Sequence, residues 1–250
     1  MGSVNNYCNV SPDYWESWWS GNKRKSDDTP QKKFENKYWI EPCDHRTAME
    51  MVVKNHYMHR TCPCSRAFCL TDGNDIVGIV TFGVPCSSTL LKGICGEEEM
   101  HNVYELNRLW VRDDVPKNGE SFLVANSIKQ LDKEIIVSFS DTSVGHVGYI
   151  YQATNFLYCG LSAKFNDIRV KGKERQHHST FGHSMTNKQI SDSFGKDNIY
   201  FVDRPRKHRY VFFNASKKRR AELMKKLKYK VLPYPKGDTT KHDTKEKYGY

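Results

Sequence analysis

Residues 103–160 predict a mixed α/β fold, a central sheet flanked by helices. Three observations carry the prediction. Val103 to Val111 (VYELNRLWV) is rich in β-favouring residues and alternates poorly, as a strand buried on both faces does. VPKNGES breaks it at Pro116 and Gly119, with Asn118 or Ser121 placed to cap a helix running to about Leu131. EIIVSF is then a short β-branched run leading to Asp141, and Gly145 and Gly160 bracket a second helix carrying Tyr149, Tyr151, Phe156 and Tyr158, with Gly160 as its stop. Strand, turn, helix, strand and helix in this order imply parallel strands with a right-handed crossover, and ligands in such sheets sit beyond the carboxyl ends of the strands. Asn118, Gly119, Ser121 and Asp141 fall there.

The flanking elements follow the same rules. KYWIEP (37–42) reads as a first strand, and Asp44 caps a helix whose apolar face is Ala48, Met49, Val52 and Val53. That helix ends near NHYMHR (55–60). Ala67–Leu70 and Ile76–Phe82 form a hairpin around TDGND. Residues 84–102, with PCSS and the acidic triplet at 97–99, read as a loop bulging out before the central strand. After Gly160, LSAKFNDIRVKG reads as a strand with a basic end. Residues 177–196, with His177, His178 and His183, read as a mobile loop or short helix. KHRYVFF (207–213) is a strand, and Ser216 caps a basic helix with Ala221, Leu223, Met224 and Leu227 as its apolar residues, closed by LPYPKG. Residues 1–36 form an aromatic and polar extension: Tyr14, Trp15, Trp18 and Trp19 cluster ahead of a linker-like polar run. Residues 237–250 are a polar tail.

At 250 residues the chain supports one substantial core, with 38% hydrophobic and 12% aromatic residues. No apolar run approaches the roughly eighteen residues of a membrane span, and no signal-peptide core is present, so neither membrane insertion nor secretion is expected. The eight cysteines then read as reduced thiols, and Cys62-Pro-Cys64 with Cys69 lacks the paired spacing of a zinc site. Charge is more telling. Residues 1–163 hold 16 Lys+Arg against 20 Asp+Glu, whereas 164–250 hold 23 against 9, a local net charge of +14. A basic segment after an acidic body suggests a polyanion partner, nucleic acid first, the alternative being a solvated basic tail.

The order of strand, helix, hairpin, long strand, glycine-containing turn and helix, strand and helix resembles the GNAT acyltransferase architecture. In that family the pyrophosphate of acyl-coenzyme A lies on backbone N–H groups after the central strand, which here means Asn118, Gly119, Glu120 and Ser121; a helix N-terminus is an anion site on physical grounds too. The family's Gln/Arg-x-x-Gly-x-Gly/Ala pattern is reduced to PKNGES, and Glu120 is an odd neighbour for a phosphate. A longer match comes from NHYMHR, ELNRLWV with PKNGES, SFSDTSVGHVGYIYQATNFLYCG, KHRYVFF and LPYPKG. Together these strongly resemble the Mom family of phage DNA-modification proteins, with gaps, from about residue 38 to 236.

The resemblance implies a GNAT-like catalytic domain over 37–236, with a basic part facing double-stranded DNA through 164–230. The implied activity is addition of a carbamoylmethyl (acetamido) group to N6 of adenine, which protects phage DNA from host restriction in the bacterial cytoplasm. It implies acetyl-coenzyme A or a related acyl donor. Iron is suspected in the family, with His56, Tyr57 and Asp141 as the corresponding donors here. Carried over motif by motif, the site residues are His56, Tyr57, Arg108, Ser121, Asp141 and Tyr151. Acyl transfer alone leaves a carbonyl on N6, whereas the family's product has a methylene there, so a nitrogen source and a further step are implied. The departures, Phe139 and Ser140 in SFSD and Gly119 in PKNGES, remove no proposed side chain.

Each residue also has a plain reading. His56 and Tyr57 follow a helix, where such a pair is often a surface cap. Arg108 either pairs with Glu105 or Asp141 or clamps an anion or carboxamide with its planar fork. Asp141 is either a general base at a strand end or the cap of the next turn through the N–H groups near Ser143. Glu105 is the reserve base, where many GNAT enzymes hold a carboxylate. Tyr151 and Tyr158 are either core aromatics or, for Tyr151, a proton donor or metal ligand; His146 either contacts substrate or caps. Two other functions stay open: a GNAT acetyltransferase acting on a protein or small amine, and a non-enzymatic DNA-binding protein. The sequence leaves oligomeric state open, a homodimer included.

Overall fold

A computed structural model describes residues 34, 35, 37–173 and 185–237. The aromatic N-terminal cluster, the histidines at 177, 178 and 183, and the tail after 237 lie outside the described residues. β1 (Trp39–Pro42) leads to Asp44, whose carboxylate accepts from the Thr47 N–H at 3.0 Å and starts α1 (His45–Asn55). α1 buries Ala48, Met49 and Val52, but Val53 is 40% exposed and lies off the apolar face assigned to it. β2 (Arg66–Thr71) and β3 (Ile76–Gly83) form the expected antiparallel hairpin, and the Asp72 carboxylate takes the Asn74 and Asp75 N–H groups of its turn.

Residues 84–102 are not a loop. Ser87 Oγ accepts from the Leu90 N–H at 3.2 Å and caps α2 (Ser88–Cys95), which buries Leu91, Ile94 and Cys95; a 3-10 turn follows over Glu97–Asn102. The first serine of PCSS, Ser87, is a cap rather than a loop signature.

β4 (Val103–Val111), α3 (Gly119–Ile128) and β5 (Ile135–Asp141) form the parallel unit. The long second helix is not formed. α4 covers only Tyr149–Ala153. Asn155 at φ +62° ends it, with the Asn155 N–H on Gln152 O and the Phe156 N–H on Tyr151 O, because asparagine tolerates the left-handed conformation. Phe156 and Tyr158 therefore leave the helix, and Gly160, at φ +75°, sits in β6 (Leu157–Leu161) where its pairing slips. β7 (Phe165–Val170), α5 (Asn187–Phe194), β8 (Ile199–Arg204), β9 (Lys207–Phe213) and α6 (Lys217–Lys226) complete the fold. The seven-stranded sheet runs β1-β2-β3-β4-β5-β9-β6, and β7 and β8 pair separately as an antiparallel ribbon. This is the mixed α/β fold expected, with the β4–β5 pair parallel and every other pairing antiparallel.

Helices cover both faces. One core joins Phe68, Phe82, Leu106 and Tyr210 to Leu123 and Val124 of α3. On the other side α1 packs over Cys69 and Ile79, while α2 and Leu223 of α6 pack over Ile135, Val137 and Val211. Residues 231–237 strap the α4–β6 edge: the Leu232 N–H donates to Tyr158 O, and the Tyr234 hydroxyl to Phe156 O at 2.8 Å.

The poor alternation of β4 has a cause other than burial on both faces. Thr81 pairs with Arg108 and Phe82 with Leu106, so Asn107 is an extra residue, a β-bulge. The bulge shifts the period by one and brings Glu105 and Arg108 to the wall of one cavity.

Candidate active site

β4 and β5 are in parallel register only from Val103↔Ile135 to Leu106↔Ser138. The Ser138 hydroxyl donates to Leu106 O at 2.9 Å at this last rung, and beyond it the strands diverge. β4 stays paired to β3 and β5 to β9, so the two edges that face each other past Leu106 are not paired to one another. The gap is a cleft of about 530 Å³, lined among others by His56, Tyr57, Asn107, Lys117, Asp141, His146 and Tyr151. It lies at the carboxyl ends of the parallel strands, where such sheets bind ligands.

His56, Tyr57, Asp141 and Tyr151, distant in sequence, meet there. The end of α1 delivers His56, which is 6% exposed; its Nδ1 accepts from the Met58 N–H at 3.2 Å. Burial first, then the nearby Arg108, His59 and His146, push its pKa down to about 3, so the ring is neutral. The Tyr57 ring lies 4.4 Å from that of His56 and edge-on to His146 at 6.1 Å. Tyr151 packs against Phe156 and Tyr210, and burial, with the Glu105 charge, holds its proton above the ordinary tyrosine range against the opposing Ser138 hydroxyl. Asp141 makes the cap contact: Oδ1 accepts from the Ser143 N–H at 2.9 Å and its hydroxyl at 2.7 Å. Its Oδ2 lies 3.7 Å from Lys207 Nζ.

Glu105 and Arg108 line a neighbouring cavity of about 290 Å³, and Asn107 lines both cavities. Burial raises the Glu105 pKa, opposed by Lys207 and Arg108. Arg108 forms no ion pair with Glu105 or Asp141. Its Nη1 donates to Asn107 O at 2.8 Å, and its buried Nε has no partner among the described residues. The salt-bridge reading of Arg108 therefore fails.

The turn residues separate. Asn118 occupies the cap position at φ +78° without a side-chain cap, and Ser121, inside α3, donates back to Asn118 O at 3.0 Å. Both line a groove of about 580 Å³ with Phe34, Lys129 and Arg220, while Lys117 and Glu120 line the cleft. Gly119 is buried, and a Cβ there would stand 2.5 Å from Val115 Cγ1, so close packing requires it.

His56, Tyr57 and Asp141, the donors the resemblance implies for iron, share the cleft. Nδ1 of His56 is engaged by Met58, and the Asp141 carboxylate by Ser143 and Lys207. Among the described residues no three His, Cys, Asp or Glu side chains are grouped to hold an ion. Sequence reasoning missed Asn107, Lys117 and Lys207; the broken alternation of β4 was the signal for the first.

Fold and cleft together define an open mixed α/β sheet with a cleft where one parallel pair splays. The chain belongs to the Mom protein family, which matches residues 37–236. It is 28% identical over 204 residues to the methylcarbamoylase Mom of Escherichia phage Mu, covering 74% of each chain. Solved structures similar to it include a Bacillus subtilis acetyltransferase in complex with CoA, at 13% identity and a TM-score of 0.39, covering 71% of this chain and 99% of that one. An acetyltransferase from Salmonella typhimurium with acetyl-CoA is similar at 11% identity and a TM-score of 0.40, covering 72% and 95%. Among the described residues no helix is long and apolar enough to cross a membrane.

Proposed function

We propose that this chain is a transferase that places a carbamoylmethyl group on N6 of adenine in DNA and works in the β4–β5 cleft. It acts in the cytoplasm of the bacterial host and shields phage DNA from restriction. The observation that carries the reading is the meeting of His56, Tyr57, Asp141 and Tyr151 in one cleft of a Mom family member. The exocyclic amine of adenine is a weak nucleophile, so the protein must expose it, orient it, remove a proton and stabilise developing charge. Base flipping, at a cost of a few kcal/mol, exposes it. Tyr57 and His146 offer ring faces and edges to the base. Glu105, on the adjoining cavity that shares Asn107 with the cleft, is the better base, because burial raises its affinity for a proton, whereas Oδ1 of Asp141 is already taken. Asp141 orients the amine through Oδ2. Arg108 clamps the oxygen that gains charge, and Tyr151, holding its proton tightly, protonates the leaving group.

An acyl-coenzyme A donor fits the same cleft. The unpaired strand edges suit an amide-bearing arm, and Lys117 suits a phosphate. When bound, the donor would supply an activated acyl group; its transfer alone puts a carbonyl on N6, so the carbamoylmethyl product requires in addition a nitrogen source and a further step. Nucleoside mass spectrometry of plasmid DNA from cells expressing the chain tests the proposal. A deoxyadenosine species heavier by a carbamoylmethyl group is expected. Unmodified DNA, together with acetyl-coenzyme A turnover on a protein or small amine, would replace it with the acetyltransferase reading.

A further inference from the structure

The basic third of the chain divides between the two ends of the parallel pair. α6 lies at the amino ends: Arg219 pairs with Glu99 and Glu134, just before β4 and β5, and Lys226 pairs with Glu99. At about 3.3 Å per residue, β5 alone separates them from Asp141 by on the order of 20 Å. The β7–β8 ribbon is rooted at the other end. Before β7, the Ser162 N–H donates to Lys207 O at 2.7 Å. After β8, Arg206 Nε donates to Ser162 O at 2.6 Å, and Arg206 O accepts from Thr142 Oγ1 at 2.6 Å. Thr142 and Lys207 both adjoin Asp141, so both stems of the ribbon are fastened at the mouth of the cleft.

The ribbon is built unlike an ordinary surface hairpin. Six residue pairs run from Phe165↔Arg204 to Val170↔Ile199. Ile168 and Val170 pack on Ile190 of α5, which stiffens one face. On the opposite face Phe165 and Val202 are 57% and 42% exposed, with the Arg204 guanidinium 5.9 Å above the Phe165 ring. Residues 164–173 and 199–207 carry seven lysines and arginines against two aspartates, and Asp167 is paired with Arg204. Large apolar groups among cations, on a two-stranded arm narrow enough for the major groove, match a duplex rather than a protein surface.

We propose that the β7–β8 ribbon, and not α6, grips duplex DNA beside the cleft, with Lys164 and Lys171 on phosphates and Phe165 against bases next to the one admitted. This rests on the DNA-modification reading. The test is fluorescence anisotropy of the full chain with a labelled, adenine-containing duplex, between about 50 and 200 mM salt. Lys164→Ala with Lys171→Ala should flatten the log–log salt slope by roughly two and weaken binding about tenfold, since each lost phosphate contact removes about 0.9. Phe165→Ala should weaken binding about tenfold with the slope unchanged. Lys217→Ala with Lys218→Ala on α6 should bind like wild type. All five side chains are exposed, and melting curves are expected to match wild type. Wild-type binding by both ribbon variants, or loss on the α6 change alone, would overturn the ribbon assignment while leaving the function standing. A wild-type chain that does not bind the duplex would overturn both.

Discussion

Arg108→Ala is expected to lower DNA modification by on the order of a hundredfold or more and to leave the melting temperature at or above that of wild type. The two halves of this result have separate causes. Arg108 is half-buried on β4, and its hydrogen bonding within the described chain is confined to the Asn107 carbonyl. Its Nε is buried without a partner. A charge held this way contributes little to stability, and removing it relieves a desolvation cost. Under the proposed function it serves instead as a donor held ready for an oxygen that becomes anionic during reaction, which is where a preorganised group is worth most. Arg108→Lys should rescue poorly, because a lysine keeps the charge and loses the planar fork. Quantifying modified deoxyadenosine beside a thermal melt checks both halves. Modification at wild-type level in Arg108→Ala would remove the residue from the site, and a large fall in melting temperature would make it structural.

Arg219→Ala is expected to destabilise the fold by about 3 kcal/mol. Glu99 is 6% exposed and precedes β4; its Oε2 accepts from Arg219 Nη2 and its Oε1 from Lys226 Nζ, both at 2.7 Å. Arg219 Nε also reaches Glu134 at 2.9 Å, ahead of β5, so one guanidinium joins α6 to the starts of both parallel strands. Deleting it leaves a buried carboxylate with Lys226 as its remaining cation, which is the costly way to break such a network. Burial alone would raise the Glu99 pKa, but hydrogen bonds from Lys226, Arg219 and Asn102 outweigh it and hold the group at about 2. The folded value is thus below the ordinary 4.5, and the stability it contributes is present above 4.5 and lost as pH falls towards 2. Urea melts at neutral and acid pH check this. Wild type should lose stability across that window and Arg219→Ala should lose less, because part of the contribution is already gone. Equal stability of the two proteins at neutral pH would contradict the account.

Much of the scaffold was legible in the sequence because local chemistry and tertiary structure agree there. Asp44 caps α1, Asp72 closes the β2–β3 turn, and the β4–α3–β5 unit runs parallel as its order required. The failures have physical causes. Broken alternation in VYELNRLWV has two explanations, burial on both faces or a bulge, and only the pairing of Thr81 and Phe82 with their partners decides for Asn107. Asn155 ends α4 because the backbone there turns left-handed, a conformation asparagine permits without demanding. α2 was hidden because the serine that caps it also suits a loop. β8 went unread because its exposed Phe201 and Val202 gain their place by pairing with β7 rather than by entering the main core.

The site was legible as a set of motifs and not as a geometry. His56, Tyr57, Asp141 and Tyr151, named by the resemblance, share one cleft. The phosphate turn divides, with Lys117 and Glu120 on the cleft and Asn118 and Ser121 on the groove beyond α3. No spacing rule foretells that division, since it depends on how α3 rotates over the sheet. Glu105 and Arg108 acquire a common cavity only through the bulge.

The central claim is that adenine is modified where the β4–β5 cleft meets the adjoining cavity at Asn107, with Asp141 on the one and Glu105 on the other as its carboxylates. Nucleoside mass spectrometry on DNA from cells expressing wild type, Glu105→Gln and Asp141→Asn tests it most directly. A heavier deoxyadenosine species in wild type, lost in Glu105→Gln and strongly reduced in Asp141→Asn with both variants folded, is the result predicted. The same species at wild-type level in both variants would place the chemistry elsewhere on the molecule.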